Sequence, residues 1–331
     1  MDTSTHITMG FGLAGLAYLD PTVSSNPDLA NAVLLGTVLG SNAPDFDYII
    51  KLVKGNGMYT EHHRGLSHSV PALILWSIFV SGVVFILQPS VQYFPLFYWT
   101  LIAVILHVCF DMMNAYGTQA GRPFTDRWIS FNFIPLFDPM IIGAHFIGFG
   151  FWFFGFHPGL TFGIIYFVIF IYIFIRYERF RNNRKYIMDQ TKMEGIYTLI
   201  PRIWIHKWDV VLETESTYYV GTLTHKELHW IHFIEKHDPF CPYILSSLKD
   251  NNVKHFLANS KHTYALFVPE PNGYEVRWID LRFRDKNNYP YMAVVKLDKD
   301  RNILFSFTGW MNRSKKVKKD LISTNKGAIP L

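Results

Sequence analysis

Apolar runs dominate the chain up to about residue 175, and charged side chains become frequent only beyond it. This asymmetry predicts a membrane-embedded first half and a water-soluble second half. Residues 7–19 and 29–40 are apolar and Gly-rich, with the breakers Asp20-Pro21 and Asn26-Pro27-Asp28 between them. Each is shorter than the roughly 20 residues that a bilayer requires, so they predict a short N-terminal helical hairpin. Gly10, Gly12, Gly15, Gly36 and Gly40 permit close helix–helix approach there. Val70–Leu87 carries no charge, is long enough to span, and ends at Gln88-Pro89-Ser90. Residues 93–110 predict a second span, opening on an aromatic belt of Tyr93, Phe94, Phe97, Tyr98 and Trp99. Residues 140–156 and 160–175 predict a third and a fourth.

After Arg176 the pattern changes. Residues 176–185 form a basic segment suited to anionic lipid. Residues 210–213, 217–223, 263–268, 274–283, 292–297 and 303–308 predict strands, with hairpin turns at 270–273 and 298–302. Glu227–Glu235 reads as a short helix, and the Lys-rich tail at 313–319 as solvated or lipid-facing. The predicted fold is an α-helical membrane bundle, four transmembrane helices plus a short N-terminal helical hairpin, with a C-terminal soluble, mainly antiparallel β domain. The expected division is 1–176 for the membrane-embedded domain, 177–207 for a basic juxtamembrane linker, and 208–331 for the β-rich domain.

Composition supports this division. Half of the 331 residues are apolar and 17% are aromatic, both high for a soluble protein. Cys109 and Cys241 lie in different halves, so no disulfide framework is expected. The start, Met-Asp-Thr-Ser-Thr-His, has no basic n-region and no cleavage site, so no removable signal peptide is expected. The turns at 88–92 and 155–159 lack Lys and Arg, whereas the opposite ends carry Lys51, Lys54, Arg64, Arg122, Arg127 and the basic residues of 176–185. The positive-inside rule places that second side in the cytoplasm. The expectation is a multi-pass cell-membrane protein with its site and C-terminal domain cytoplasmic. Expected partners are membrane lipid and a cytoplasmic protein bound through the C-terminal domain; no nucleic acid is expected.

The candidate chemistry gathers on that same face. Glu61–Ser69 packs His62, His63, Arg64 and His68 into nine residues before a span. Neutral imidazole is the commonest ligand for a transition metal, and Arg is the usual fork for phosphate. Gly65 permits a tight turn, and Ser67 or Ser69 suits an N-cap. Asp45 and Asp47 follow the second short helix and suit zinc, manganese or iron alongside imidazole. The competing reading for Asp45 is a capped, solvated turn. His107 and Asp111 are four apart, so a helix presents both on one face, either to one ion or simply to each other. Asn114 and Thr118 follow as substrate-binding candidates, as does Arg127 for an anionic head group. Asp138, before Pro139, is a ligand candidate or an N-cap, with the cap favoured. His6 begins the first short helix and is a further candidate. His145 reads as a packing residue, and His225, His229 and His232 share helical spacing without acids.

On these residues the N-terminal half resembles a bacterial family of integral-membrane, predicted metal-dependent hydrolases, some described as LexA-binding inner-membrane hydrolases. The matching pieces are Thr5-His6, Pro44-Asp45-Phe46-Asp47, the stretch His62–Ser69, and His107 to Asp111 followed by Asn114, Tyr116, Gly117 and Thr118. A weaker likeness, through His107 and Asp111, is to zinc-dependent phospholipase C and P1-type nucleases, which also bind metal through an N-terminal amine and Trp. This chain begins Met-Asp, with His6 nearby. The resemblance implies a membrane-bound metal-dependent hydrolase, and the residues read together predict one or more divalent ions, zinc or manganese, held by Asp45, Asp47, His62, His63, His68, His107 and Asp111. On this reading Arg64, Asp47 and His68 carry the chemistry, and the site's place at the bilayer face predicts a phosphoester or lipid-linked substrate. The rivals are a non-enzymatic membrane regulator with a structural metal, favoured by a closed ligand set, and an ion transporter, which would need polar residues at mid-span.

Overall fold

The Asp2 carboxylate accepts the Thr5 amide and so starts α1 (Thr3–Leu16). Asn26 does the same for α3 (Pro27–Gly40), after the single turn α2 (Pro21–Ser24). The structure, a computed structural model, describes residues 1–236, 240–286 and 288–311; the Lys-rich stretch 313–319 lies outside them. α1 and α3 pack together as the expected hairpin. A Cβ at Gly10 would lie 2.8 Å from Val38 Cα, which shows how closely the two backbones approach.

A 3-10 turn (Ala43–Tyr48) leads to α4 (Ile49–His62), and a second (Leu66–His68) leads to α5 (Val70–Leu87). Then come α6 (Tyr93–Met113), α7 (Pro139–Phe153) and α8 (Pro158–Thr191). Three of these, α5, α6 and α8, are long and apolar enough to cross a membrane. The expected third span is only the 15-residue α7. At 1.5 Å per residue it reaches about 22 Å, short of a hydrocarbon core of about 30 Å. It ends where Gly155 takes φ +86°, a conformation that glycine adopts without Cβ strain. α8 runs well past residue 175, so 176–185 is helix. Arg176 is buried on it, donating from Nε to the Phe133 carbonyl (3.1 Å) and from Nη2 to the Arg202 carbonyl (3.0 Å).

The chain divides into two compact units. The first is Met1–Asp47, His63–Arg181 and Pro201–Ile205; the second is Tyr48–His62, Asn182–Ile200 and His206–Leu331. In the first, α3 and α6 close on each other at Gly36, where a Cβ would meet Thr100 Oγ1 at 2.5 Å. The second contains two four-stranded sheets, each in sequence order. They are β1 (Ile196–Pro201), β2 (Lys207–Glu213), β3 (Thr217–Thr224) and β4 (Glu227–Glu235), then β5 (Thr263–Glu270), β6 (Gly273–Asp280), β7 (Tyr291–Asp298) and β8 (Ile303–Trp310). The hairpin turns fall at 271–272 and 299–302, as the sequence predicts.

Residues 227–235 are a strand and not the expected helix. Their burial alternates at the end, with His232 and Ile234 inside and Phe233 and Glu235 outside, which is the period of a strand. The helical spacing of His225, His229 and His232 is incidental: His225 and Lys226 both take positive φ and form the β3–β4 turn. Two helices, α9 (Pro242–Ser247) and α10 (Asn251–Asn259), join the sheets. The core is built on fully buried Trp208, Phe256, Val276 and Val295. α4 packs on α10: Asn259 Nδ2 donates to the Thr60 carbonyl (2.9 Å), and Glu61 pairs with His255.

Candidate metal centre

Four residues separated by long stretches of chain meet in the first unit. Asp45 stands on the 3-10 turn after α3, His68 on the turn before α5, and His107 and Asp111 one turn apart on α6. His68 Nε2 lies 3.2 Å from His107 Nε2. Asp45 Oδ1 is 3.5 Å from each of these nitrogens, and Asp111 Oδ2 is 3.4 and 3.6 Å from them. An ion bonded at about 2.0–2.1 Å to four ligands in a tetrahedron holds its ligand atoms about 3.3–3.4 Å apart. The observed separations have that size.

Hydrogen bonding at the far side of each ring makes the contact more telling. His107 Nδ1 is 2.7 Å from the Ser41 carbonyl, which can only accept, so the proton is on Nδ1. Ser67 Oγ donates to Asp47 Oδ2 (2.7 Å) and lies 2.9 Å from His68 Nδ1, so it accepts the proton of that nitrogen. The tautomers are assigned from these partners. Both Nε2 atoms are then bare lone pairs, and they face each other beside Asp45 Oδ1, which is buried without a hydrogen-bond partner, and Asp111 Oδ2, which the Arg64 guanidinium approaches from one side. Four electron-rich atoms gathered within 4.8 Å repel one another, and a cation held between them would relieve that repulsion. Outer partners that fix the ring tautomer are the usual support of a metal-bound histidine.

Burial holds the His68 imidazole down at about 3, with Asp45 opposing the shift, so the ring is neutral at physiological pH. Burial raises Asp45, but its contacts with His107 and His68 outweigh that and leave it well below the usual carboxylate range. Arg64 supplies the countercharge. It is buried, with Nε 3.1 Å from Asp111 Oδ2, Nη2 3.0 Å from the Met1 carbonyl and Nη1 3.4 Å from Asn114 Oδ1. Two carboxylates and one guanidinium leave the set suited to a divalent ion.

The other predicted residues surround this set. His6 stacks on His107 at 3.8 Å and approaches Asp111 Oδ1 with Nε2 at 3.3 Å. The Met1 amine contacts Asp111 and, at 3.0 Å, His6. Asp47 belongs to a second cluster with Asp45 and His63. Its two oxygens are already engaged, by His63 Nδ1 (2.9 Å), Ser67 Oγ and the Arg64 amide (3.1 Å). Asp47 therefore acts here as the residue that orients His68 through Ser67. His62 ends α4 and is in neither cluster found among the described residues. Asn114 caps its own turn, accepting the Tyr116 and Gly117 amides (2.8 and 3.2 Å), and Thr118 Oγ1 accepts the Ala120 amide. Arg127 is exposed on the loop that follows. Asp138 is the N-cap of α7, accepting Met140 N at 3.0 Å, and takes the Tyr172 hydroxyl at 2.8 Å.

The turn geometry corrects two local expectations. The left-handed residue is Arg64 (φ 63°), while Gly65 has φ −87°. Ser69 is the N-cap of α5 but makes no side-chain cap, and Ser67 is turned to Asp47 instead. The role of Ser67 was not evident from sequence; its position directly before His68 is the one signal that could have suggested it. Asp47→Asn and Ser67→Ala are expected to keep the fold and to weaken metal binding by about 10–100-fold, the usual cost of losing an orienting partner. A metal titration of the purified variants checks this.

Membrane-length helices with buried imidazoles and carboxylates at ligand spacing define a membrane protein with a candidate metal site. The YdjM inner membrane protein family matches residues 1–182, and the chain belongs to that family. Residues 242–321 match the YfhP C-terminal alpha/beta plait domain. Across 325 residues the chain is 37% identical to the uncharacterized protein YfhP of Bacillus subtilis (strain 168), covering 97% of this chain and 98% of that one. No solved structure gives a significant match.

Proposed function

We propose that the chain is a membrane-bound, metal-dependent hydrolase acting on a phosphoester of a lipid or lipid-linked substrate. Zinc or manganese would be held by Asp45, His68, His107 and Asp111. The observation that carries this reading is the pair of unprotonated Nε2 atoms 3.2 Å apart, flanked by two carboxylate oxygens. A divalent ion bound there supplies an acidified water and polarises a scissile phosphoryl group.

The chain's own residues divide the remaining work. Asp45 is the ligand that reaches the surface, with its side chain 18% exposed while His68, His107 and Asp111 are sealed. It therefore marks the side from which a substrate arrives. Asp47 stands outside the ligand set and orients His68 through Ser67. Arg64 has its fork committed to Asp111, Met1 and Asn114, so it holds a ligand in place and is not a free phosphate clamp. Arg127 remains the candidate for an anionic head group. The basic ends of the helices favour a cytoplasmic site.

The test is a screen of phosphoester lipids with added zinc or manganese. The expected result is turnover by the wild type that is lost in His107→Ala. Turnover unchanged in that variant would overturn the assignment. A second reading is favoured by the count of four protein ligands, which is the pattern of structural zinc. In it the chain is a membrane regulator whose C-terminal domain binds a protein. It predicts tightly held metal with no turnover, and loss of the fold on chelation.

A further inference from the structure

α4 presents an apolar face that is left open among the described residues. Ile49, Leu52 and Val53 lie at i, i+3 and i+4, on one side of the helix, and are 61%, 75% and 75% exposed. Lys51 and Lys54 lie on the opposite side; Lys51 Nζ lies over the Tyr48 ring at 5.0 Å, and Lys54 is exposed. The other end of the helix is fixed differently. Gly57 and Thr60 are buried, Thr60 and Glu61 are held by Asn259 and His255 of α10, and a Cβ at Gly57 would meet Asn252 Oδ1 at 2.3 Å. Gly55, at φ +84°, separates the two halves. One half is thus docked in the protein, and the other is an amphipathic turn and a half with apolar residues on one side and lysines on the other.

We propose that residues 48–54 are a membrane-surface anchor, with Ile49, Leu52 and Val53 seated among lipid acyl chains and Lys51 and Lys54 on anionic head groups. Basic amphipathic helices bind the bilayer interface in this way, burying their apolar face just below the head groups. Two observations select lipid as the occupant. The lysines complement an anionic surface, and chain continuity reaches a membrane span: two residues before Tyr48, the Phe46 ring packs edge-on against Trp76 of α5 at 5.8 Å. In sequence the segment lies between Asp47 and His63. The anchor does not depend on the hydrolase reading.

Spin labels at Leu52→Cys and Lys54→Cys test it, in a Cys109→Ala, Cys241→Ser background of the full chain in nanodiscs. The lipid is phosphatidylcholine, with or without phosphatidylglycerol. The expected result is a label at 52 struck more often by oxygen than by a water-soluble nickel chelate, with the reverse at 54, and a larger contrast when phosphatidylglycerol is present. Equal, water-like exposure at both positions overturns the proposal, as does dipolar broadening between labels of two copies at 52. The unsubstituted chain gives an independent reading in nanodiscs doped with a diazirine-bearing acyl lipid. Adducts within 48–54 support the anchor, and adducts on α5 without any on 48–54 refute it.

Discussion

His68→Ala and His107→Ala are each expected to lower metal affinity by about 10²–10³-fold. Structural zinc sites release about 10–16 kcal/mol across four ligands, so one ligand accounts for roughly 2.5–4 kcal/mol. Both side chains are sealed from solvent. Because each ring already carries its proton on the far nitrogen, the loss falls on the ligand bond itself. Competition against a fluorescent chelator measures it. Wild-type affinity in either variant would remove that imidazole from the centre.

Asp111→Ala is expected to cost about 3–5 kcal/mol of stability even without metal, since it leaves the buried Arg64 guanidinium without its carboxylate. Arg64→Met in the same chain is expected to recover much of that loss, because the pair is then removed together and the guanidinium is no longer left stranded. Unfolding in mixed micelles gives the coupling energy through a double-mutant cycle. Additive losses from the two substitutions would mean that Arg64 answers to other partners, such as the Met1 carbonyl and Asn114, more than to Asp111.

The parts of this arrangement that were legible in the sequence are those set by hydropathy and short turns. α5 and α6 follow from uninterrupted apolar runs, and the short turn between them returns the chain so that His107 and Asp111 approach His68. The division of labour between Asp45 and Asp47 was not legible. It depends on Ser67 and the Arg64 amide, about twenty residues further on, filling the oxygens of one carboxylate while those of the other remain open. α4 was also hidden, because Gly55 and Gly57 interrupt its pattern and its second half is held by α10, about two hundred residues away. Around β4 the spacing of His225, His229 and His232 imitated a helix, while Trp230, Ile231 and Phe233 are strand formers whose pairing with β3 decided the outcome.

The central claim is that two imidazoles and two carboxylates share one ion. X-ray absorption at the zinc edge of the purified, zinc-loaded protein tests it most directly. The account predicts one tightly held ion with two imidazole nitrogens and at least two oxygens at about 2.0–2.2 Å, and a lower imidazole count in His107→Ala. A spectrum without imidazole scattering, or one identical in wild type and variant, would contradict it.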